Sequence, residues 1–264
     1  MKLALVGCGK MGGAMLDGWL AGGTAASDVV VIEPFEGAKV PAGVTRLADA
    51  TEIPAGFAPD VVIHAVKPQM MDAVVPAYGR FASACHLSIA AGKSIAYFTA
   101  KLGGSPAIVR AMPNTPAAVG RGITVAVPNA AVTDAQRTAC DGLLAAVGEV
   151  AWIEDEGHLD AVTALSGGGP AYVFLLMEAM AAAGVAAGLP EDLSMRLARV
   201  TVSGAGELAR LSPEDAAQLR INVTSPGGTT AEALKVLMDE KTGIGPVFVK
   251  AIAAATARSR ELAG

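Results

Sequence analysis

The sequence predicts an α/β fold: a doubly wound, mostly parallel sheet followed by an all-helical part. Three observations carry this. The first half alternates short β-branched runs with helix-like stretches, the pattern of parallel strands joined by crossover helices. Most of those runs are continuously apolar rather than alternating, which suits strands covered on both faces. Past Ile153 the β-branched runs stop and long helix-prone stretches take over.

Taken in order, Lys2–Val6, Val29–Ile32, Val61–Ala65, His86–Ile89 and Ala107–Arg110 read as strands, with helices over Met11–Ala21 and Met70–Tyr78. Two later strands, Ile123–Val127 and Val150–Ile153, flank a helix from Asp134 to Val147. The helical part reads as Glu156–Leu165, Ala171–Ala187, Leu193–Leu211, Thr230–Lys241 and Pro246–Leu262. Its breaks fall at the glycine- and proline-rich stretches 167–170, 188–190, 225–228 and 243–246. The boundary is placed near Asp155, giving a sheet domain over 1–155 and a helical domain over 156–264.

Composition narrows the function classes. Hydrophobic residues make up 52% and charged residues 17%, so the chain buries enough apolar surface to offset ordering entropy. The net charge of -5, without a Lys/Arg run, is the wrong balance for neutralising phosphates, so no nucleic-acid partner is expected. Cys8, Cys85 and Cys140 are an odd, unpaired set that reads as buried thiols in a reducing compartment, and the three scattered histidines offer no metal site. Leu5-Val6-Gly7-Cys8 imitates a lipoprotein signal, but its apolar run of four falls short of the roughly 7–15 that export needs. A cytoplasmic location is expected. Ala171–Leu189 carries one charge, Glu178, and is about long enough to span a bilayer. Without flanking Lys/Arg or an aromatic belt it reads as a buried helix covered by a partner subunit, with no membrane partner.

The sharpest local signal is Gly7-Cys8-Gly9-Lys10-Met11-Gly12, between the first strand and the first helix. Gly7 suits a tight turn, Gly9 a close backbone approach to a pyrophosphate, and Gly12 close helix–strand packing. The helix N-terminus then offers unpaired N–H groups to the phosphates. Glu33 closes the second strand, 21 residues past Gly12, where an acid accepts hydrogen bonds from the adenosine ribose hydroxyls. It would repel a 2′-phosphate, and the next cation along the chain is Lys39. This leans towards NADH over NADPH. A solvated glutamate in a Glu33-Pro34 turn is the plainer alternative.

Four further segments are distinctive: Val66-Lys67-Pro68-Gln69, Val109–Pro116 with Met112-Pro113-Asn114 at its centre, Ser166–Tyr172, and Val223–Thr230. In this order and spacing they closely resemble the pyrroline-5-carboxylate reductases, across essentially the whole chain. The last segment, followed by Ala233-Leu234 and Leu237-Met238, is the most specific. The resemblance implies a Rossmann-type domain joined to an all-α dimerisation domain, with C-terminal helices like those of 6-phosphogluconate dehydrogenase. It further implies a homodimer interlocked through those helices, with dimers associating into rings in the family. It implies NADPH- or NADH-dependent reduction of 1-pyrroline-5-carboxylate to L-proline, the last step of proline biosynthesis.

The residues are consistent with that chemistry. Hydride delivery to a C=N carbon calls for a hydrogen bond to the ring nitrogen and a hold on the carboxylate. Pro226, Gly227 and Gly228 free backbone N–H groups beside a helix N-terminus, and Ser225, Thr229 and Thr230 add hydroxyls. By the resemblance, Thr230 matches the threonine that hydrogen-bonds the ring nitrogen; Ser225 or Thr230 also suits a helix cap. Val66, Lys67 and Pro68 are read as lining the nicotinamide-side ribose, Lys67 having a surface-cation alternative. Ala91 and Gly92 are read as leaving space for the nicotinamide ring. Met112, Pro113 and Asn114 are placed at the nicotinamide end, Asn114 having a turn alternative. No His, Cys or carboxylate pair is placed for proton transfer, as befits an imine basic enough to take its proton from water.

The chain departs from the family at Gly168, where serine is usual, and at Asp215-Ala216, where a His-Pro pair is usual. Two rivals remain. A β-hydroxyacid-type dehydrogenase of the same architecture would need a lysine in the glycine-rich helix after the boundary, and Lys235, Lys241 and Lys250 all fall later. A non-catalytic nicotinamide-binding regulator would have no use for the Ser225–Thr230 loop.

Overall fold

The computed structural model describes residues 1–263. Packing divides the chain into two compact units: Met1–Gly167 together with the chain from Ala255 on, and Gly168–Ala254.

The first unit is built on eight strands: β1 (Leu3–Val6), β2 (Val29–Ile32), β3 (Thr45–Leu47), β4 (Val61–His64), β5 (Cys85–Ser88), β6 (Ala107–Met112), β7 (Gly122–Pro128) and β8 (Gly148–Trp152). Their order in the sheet is β3-β2-β1-β4-β5-β6-β7-β8. Every neighbouring pair is parallel except β6 and β7. The predicted doubly wound, mostly parallel sheet is therefore present. Chain order reverses between β1 and β4, which leaves a crevice beyond the strands' carboxyl ends, where ligands bind in such sheets.

Continuous apolar runs make physical sense here because alternate residues of one strand enter opposite cores. Leu3, Leu5, Val29, Val31 and Ile63 face one layer, with Met15, Leu16 and Trp19 of helix α1 (Lys10–Ala21). Ala4, Val6, Val30, Ile32 and Val62 face the other, with Met71 of the one-turn helix α2 (Met71–Val74), Val75, Tyr78, and Phe98 of α3 (Ile95–Leu102). Each fully buried Val, Leu, Ile, Met or Phe among them contributes about 1.5–3 kcal/mol. Helix α4 (Asp134–Ala145) joins the first layer, where the Trp19 indole N–H donates to the Leu143 carbonyl at 2.8 Å.

Several elements differ from the sequence reading. β3 and α3 were not foreseen, since the three residues of β3 carry no period and α3 is only 8 residues long. The stretch read as one helix over Met70–Tyr78 is α2 flanked by 3₁₀ turns, with Pro76 denying one ladder hydrogen bond. Glu156–Leu165 is likewise broken into a 3₁₀ turn, α5 (Leu159–Val162) and a π-turn over Thr163–Gly167. In that turn the Thr163 and Ser166 hydroxyls donate back to the carbonyls of Leu159 and Val162, at 2.7 and 3.0 Å. Residues 156–167, expected with the helical part, pack instead with the sheet. Leu159 is fully buried there, and Asp160 accepts the Ser259 hydroxyl at 2.6 Å, drawing the chain beyond Ala255 into the same unit.

The second unit is all-helical: α6 (Gly169–Ala186), α7 (Glu191–Leu211), α8 (Ala216–Asn222), α9 (Thr229–Leu237) and most of α10 (Ile244–Ala263). Gly188, at φ +99°, makes the left-handed turn that ends α6 and lets α7 pack back against it. The α6 helix, expected to be buried, is open within this one chain: Phe174 is 57% exposed and Leu175 62%. Residues 156–186 form a helical stretch long and apolar enough, by length and composition alone, to cross a membrane.

Candidate active site

The glycine loop lies at the reversal point of the sheet, and its three glycines are constrained in three ways. Gly7 takes φ +93° while its N–H donates to the Ile32 carbonyl at 2.9 Å, and a Cβ there would lie 2.8 Å from Val66 Cγ1. A Cβ on Gly12 would run into the Gly7 carbonyl oxygen and sit 3.2 Å from Ala65 Cβ, so α1 approaches β4 only because that carbon is missing. Gly9 is the opposite case: nothing lies within 4 Å of where its Cβ would be. It caps α1 without a side-chain hydrogen bond, leaving the helix's first N–H groups to an anion. Lys10 is exposed at the helix start, whereas Met11 leans against the core.

Glu33 follows β2 and turns its carboxylate onto this loop. One oxygen accepts the Cys8 N–H at 2.8 Å and the other accepts the Phe35 N–H at 3.0 Å. Burial, then the negative charges of Glu33 and Asp17, push the Cys8 thiol up, so it stays protonated and unreactive. Pairing of β2 with β3 brings in a residue the sequence reading missed. Arg46 Nε donates to the Glu33 carbonyl oxygen at 3.0 Å, so the cation nearest Glu33's backbone is not Lys39. Its signal was a strand of three residues, too short for periodicity.

Two cavities follow the strand ends. One, of about 470 Å³, is lined by Gly7, Gly9, Glu33, Val66, Lys67 and Tyr78 among others. The second, of about 460 Å³, brings Pro68, Ala91 and Gly92 against Thr163, Ser259 and Leu262. Gly92, at φ +71°, allows the Leu262 backbone to approach, a wall not foreseen from the sequence. A third hollow of about 520 Å³ runs past Cys8, Gly9 and Lys10. Met112 and Asn114 lie beyond β6 and meet the π-turn. A Cβ on Gly167 would lie 2.6 Å from Met112 Cε. The Asn114 amide spans two elements, its oxygen accepting the Ile123 N–H at 3.0 Å and its nitrogen donating to the Ser166 carbonyl at 3.2 Å. Pro113 between them is buried.

The loop before α9 belongs to the other unit. Gly227 takes φ +71°, and the Gly228 N–H donates to the Ser225 carbonyl at 3.0 Å, closing a tight turn. Gly228 then caps α9 without a side-chain hydrogen bond. Ser225, Thr229 and Thr230 are exposed, and their hydroxyls have no protein partner among the described hydrogen bonds. Three free hydroxyls beside unsatisfied helix N–H groups suit a carboxylate.

Among the described residues no group of three or more His, Cys, Asp or Glu is arranged to hold a metal ion. The histidines nearest the sheet crevice are structural in burial: His64, ending β4, lies with Nε2 3.1 Å from Nδ1 of His86 on β5. Burial drives both towards the neutral form, His86 down to about 4 and His64 well below the usual imidazole value.

A glycine loop at a sheet reversal, an acid closing β2 and an attached helical unit define a nicotinamide-dinucleotide-dependent oxidoreductase of the two-unit type. Comparisons narrow the class. Residues 156–262 match the family model described as pyrroline-5-carboxylate reductase dimerisation, and residues 2–92 match that of NADP oxidoreductase, coenzyme F420-dependent. A pyrroline-5-carboxylate reductase of Pseudomonas aeruginosa is 39% identical over 99% of this chain and 97% of its own. The solved pyrroline-5-carboxylate reductase of Coxiella burnetii superposes with TM-score 0.92 at 34% identity, covering 100% of this chain and 98% of that one. The Plasmodium falciparum pyrroline carboxylate reductase, solved with NADP bound, gives 0.83 at 29% identity, over 100% and 98%. The chain belongs to the pyrroline-5-carboxylate reductase family.

Proposed function

We infer that the chain reduces 1-pyrroline-5-carboxylate to L-proline, the last step of proline biosynthesis, at the expense of NADH or NADPH. The observation that carries this is likeness over nearly the full length to reductases of that name, together with the open glycine loop at the sheet reversal. When bound, the reduced nicotinamide supplies a hydride to the C=N carbon, and water supplies the proton taken by the nitrogen.

The chain's part is to bind, orient and exclude. Gly7–Gly12 and the start of α1 hold the pyrophosphate, with Cys8, Lys10 and Met11 framing the loop. Val66, Lys67 and Pro68 line the nicotinamide-side ribose, and Lys67 is exposed with no acid partner among the described ion pairs. Ala91, Gly92, Met112, Pro113 and Asn114 shape the nicotinamide end, Asn114 by bracing the loop. Ser225, Gly227, Gly228 and Thr229 hold the substrate carboxylate, and Thr230 hydrogen-bonds the ring nitrogen. Alignment of the two reactants, rather than a protein acid, supplies the rate.

For the cofactor, Glu33 favours NADH, since its carboxylate keeps lone pairs for ribose hydroxyls and opposes a 2′-phosphate. A second reading has an observation of its own: the Arg46 guanidinium at the same backbone would favour NADPH. The C-terminal part of the chain, from residue 156 on, is assigned to dimerisation, with exposed Phe174 and Leu175 meeting a second copy and dimers closing into a higher ring. That partner also accounts for an apolar α6 without a membrane. The three unpaired cysteines suit the cytoplasm.

The test is absorbance at 340 nm with purified protein, 1-pyrroline-5-carboxylate and each cofactor in parallel. Oxidation of either supports the reductase, and the kcat/KM ratio decides between Glu33 and Arg46. Cofactor binding without oxidation would overturn the substrate and favour the regulatory reading. Oxidation of either cofactor by a β-oxo acid, giving the β-hydroxy acid, but not by 1-pyrroline-5-carboxylate would favour the dehydrogenase reading.

A further inference from the structure

One carboxylate oxygen in the sheet unit takes two donors from two different elements. Glu156 Oε1 accepts Arg110 Nη1 at 2.7 Å and the Ile95 backbone N–H at 2.9 Å. Arg110 lies inside β6, two residues before Met112, and its side chain is only 8% exposed. Ile95 is the first residue of α3, three positions past Gly92, and its N–H is one a helix start leaves unpaired. Glu156 thus joins the two strand ends assigned to the nicotinamide: Ala91-Gly92 beyond β5 and Met112–Asn114 beyond β6.

Stability alone does not account for this arrangement. Taking a guanidinium out of water is costly, and well-packed apolar residues of similar volume in place of a buried pair are often neutral or stabilising. What the pair supplies is geometry. Its short, charge-assisted bonds tie β6 to the start of α3 at a defined length and direction.

We propose that Arg110 and Glu156 are positioning residues for hydride transfer, holding the two strand ends at the separation the nicotinamide ring requires. The proposal rests on the assignment of those strand ends given above. Neither residue touches the reacting atoms; both act through the loops they tie.

The test is a single-turnover measurement, with enzyme in excess over bound reduced cofactor, mixed with 1-pyrroline-5-carboxylate and followed at 340 nm. The rate constant counts only folded, loaded enzyme, so a merely structural role would not move it. Glu156→Ala should slow it at least about tenfold, because small misplacements are costly to alignment. Glu156→Gln keeps an oxygen for both donors and should recover to within about threefold, while cofactor Kd changes less than about threefold in both. If Glu156→Ala does not fold, the paired change Arg110→Met with Glu156→Leu restores an apolar contact and should show the same slowing. A wild-type constant in the folded variant overturns the proposal. Ala91→Leu separates the two levels: slowed by Ala91→Leu but not by Glu156→Ala, only the pair is wrong; slowed by neither, the strand-end assignment falls.

Discussion

The Glu33 carboxylate and the Cys8 N–H meet at 2.8 Å across the mouth of the glycine loop, so the acid that would touch a ribose also holds the loop that would touch the pyrophosphate. Two functions therefore depend on one side chain. Glu33→Ala should raise the NADPH:NADH ratio of kcat/KM by about 10- to 100-fold, the worth of a charge-assisted hydrogen bond. Arg46→Ala should move the ratio the other way. An unchanged ratio in Glu33→Ala means that the carboxylate does not reach the ribose.

Gly9 and Gly12 should separate binding from stability. Gly12→Ala puts a carbon against the Gly7 carbonyl and should cost about 1–3 kcal/mol in urea unfolding, as overpacking does. Gly9→Ala meets no protein atom, so Tm should hold while the Kd for reduced dinucleotide rises. Equal losses of stability in the two variants would contradict the assignment of the open glycine to the ligand.

Thr230 stands in the first turn of α9, where alanine is a good helix residue, so Thr230→Ala should keep the fold. Its kcat/KM for 1-pyrroline-5-carboxylate should fall by about 1–3 kcal/mol of transition-state binding. Thr230→Ser should recover most of that loss. Full activity in Thr230→Ala removes the hydroxyl from the mechanism.

His64 and His86 should make the fold acid-sensitive. Both imidazoles are held neutral in the folded chain by burial, His86 lowered to about 4 and His64 well below the usual imidazole value. In the unfolded chain each takes a proton near pH 6.5. Stability is thus fully present above about pH 6.5 and falls as pH drops towards 4, approaching about 1.4 kcal/mol per pH unit for each imidazole. His86→Asn should roughly halve that slope between pH 6 and 5 in urea titrations. A wild-type stability flat over this interval would rule the pair out as its source.

The exposed face of α6 should hold two copies together. Phe174→Asp places a charge where the side chain is 57% open in a single chain, and sedimentation should then show monomers. Dimers that persist at micromolar concentration would move the interface elsewhere.

Sequence alone was enough for the parts that depend on period and on glycine. Most of the early strands ran as continuous apolar stretches because both faces are covered, and Gly7-Cys8-Gly9-Lys10-Met11-Gly12 could be read by position. What it did not reveal depended on pairing between distant residues. Arg46 reaches Glu33 only through a three-residue strand, and Glu156 meets Arg110 across 46 positions. The break inside 156–167 turned on hydroxyls bonding backwards, which no hydrophobic pattern records. The α6 helix was apolar on every side, and one chain alone leaves it uncovered.

The Asp160–Ser259 hydrogen bond gives the sheet unit a late-arriving piece. On the ribosome, eight strands can form long before residues 255–262 emerge, yet the wall beside Gly92 waits for them. Until then the nascent chain carries a finished crevice with one side missing. A stop introduced at 255 would fix it in that condition, with every residue of the glycine loop in place and the neighbouring cavity open to water.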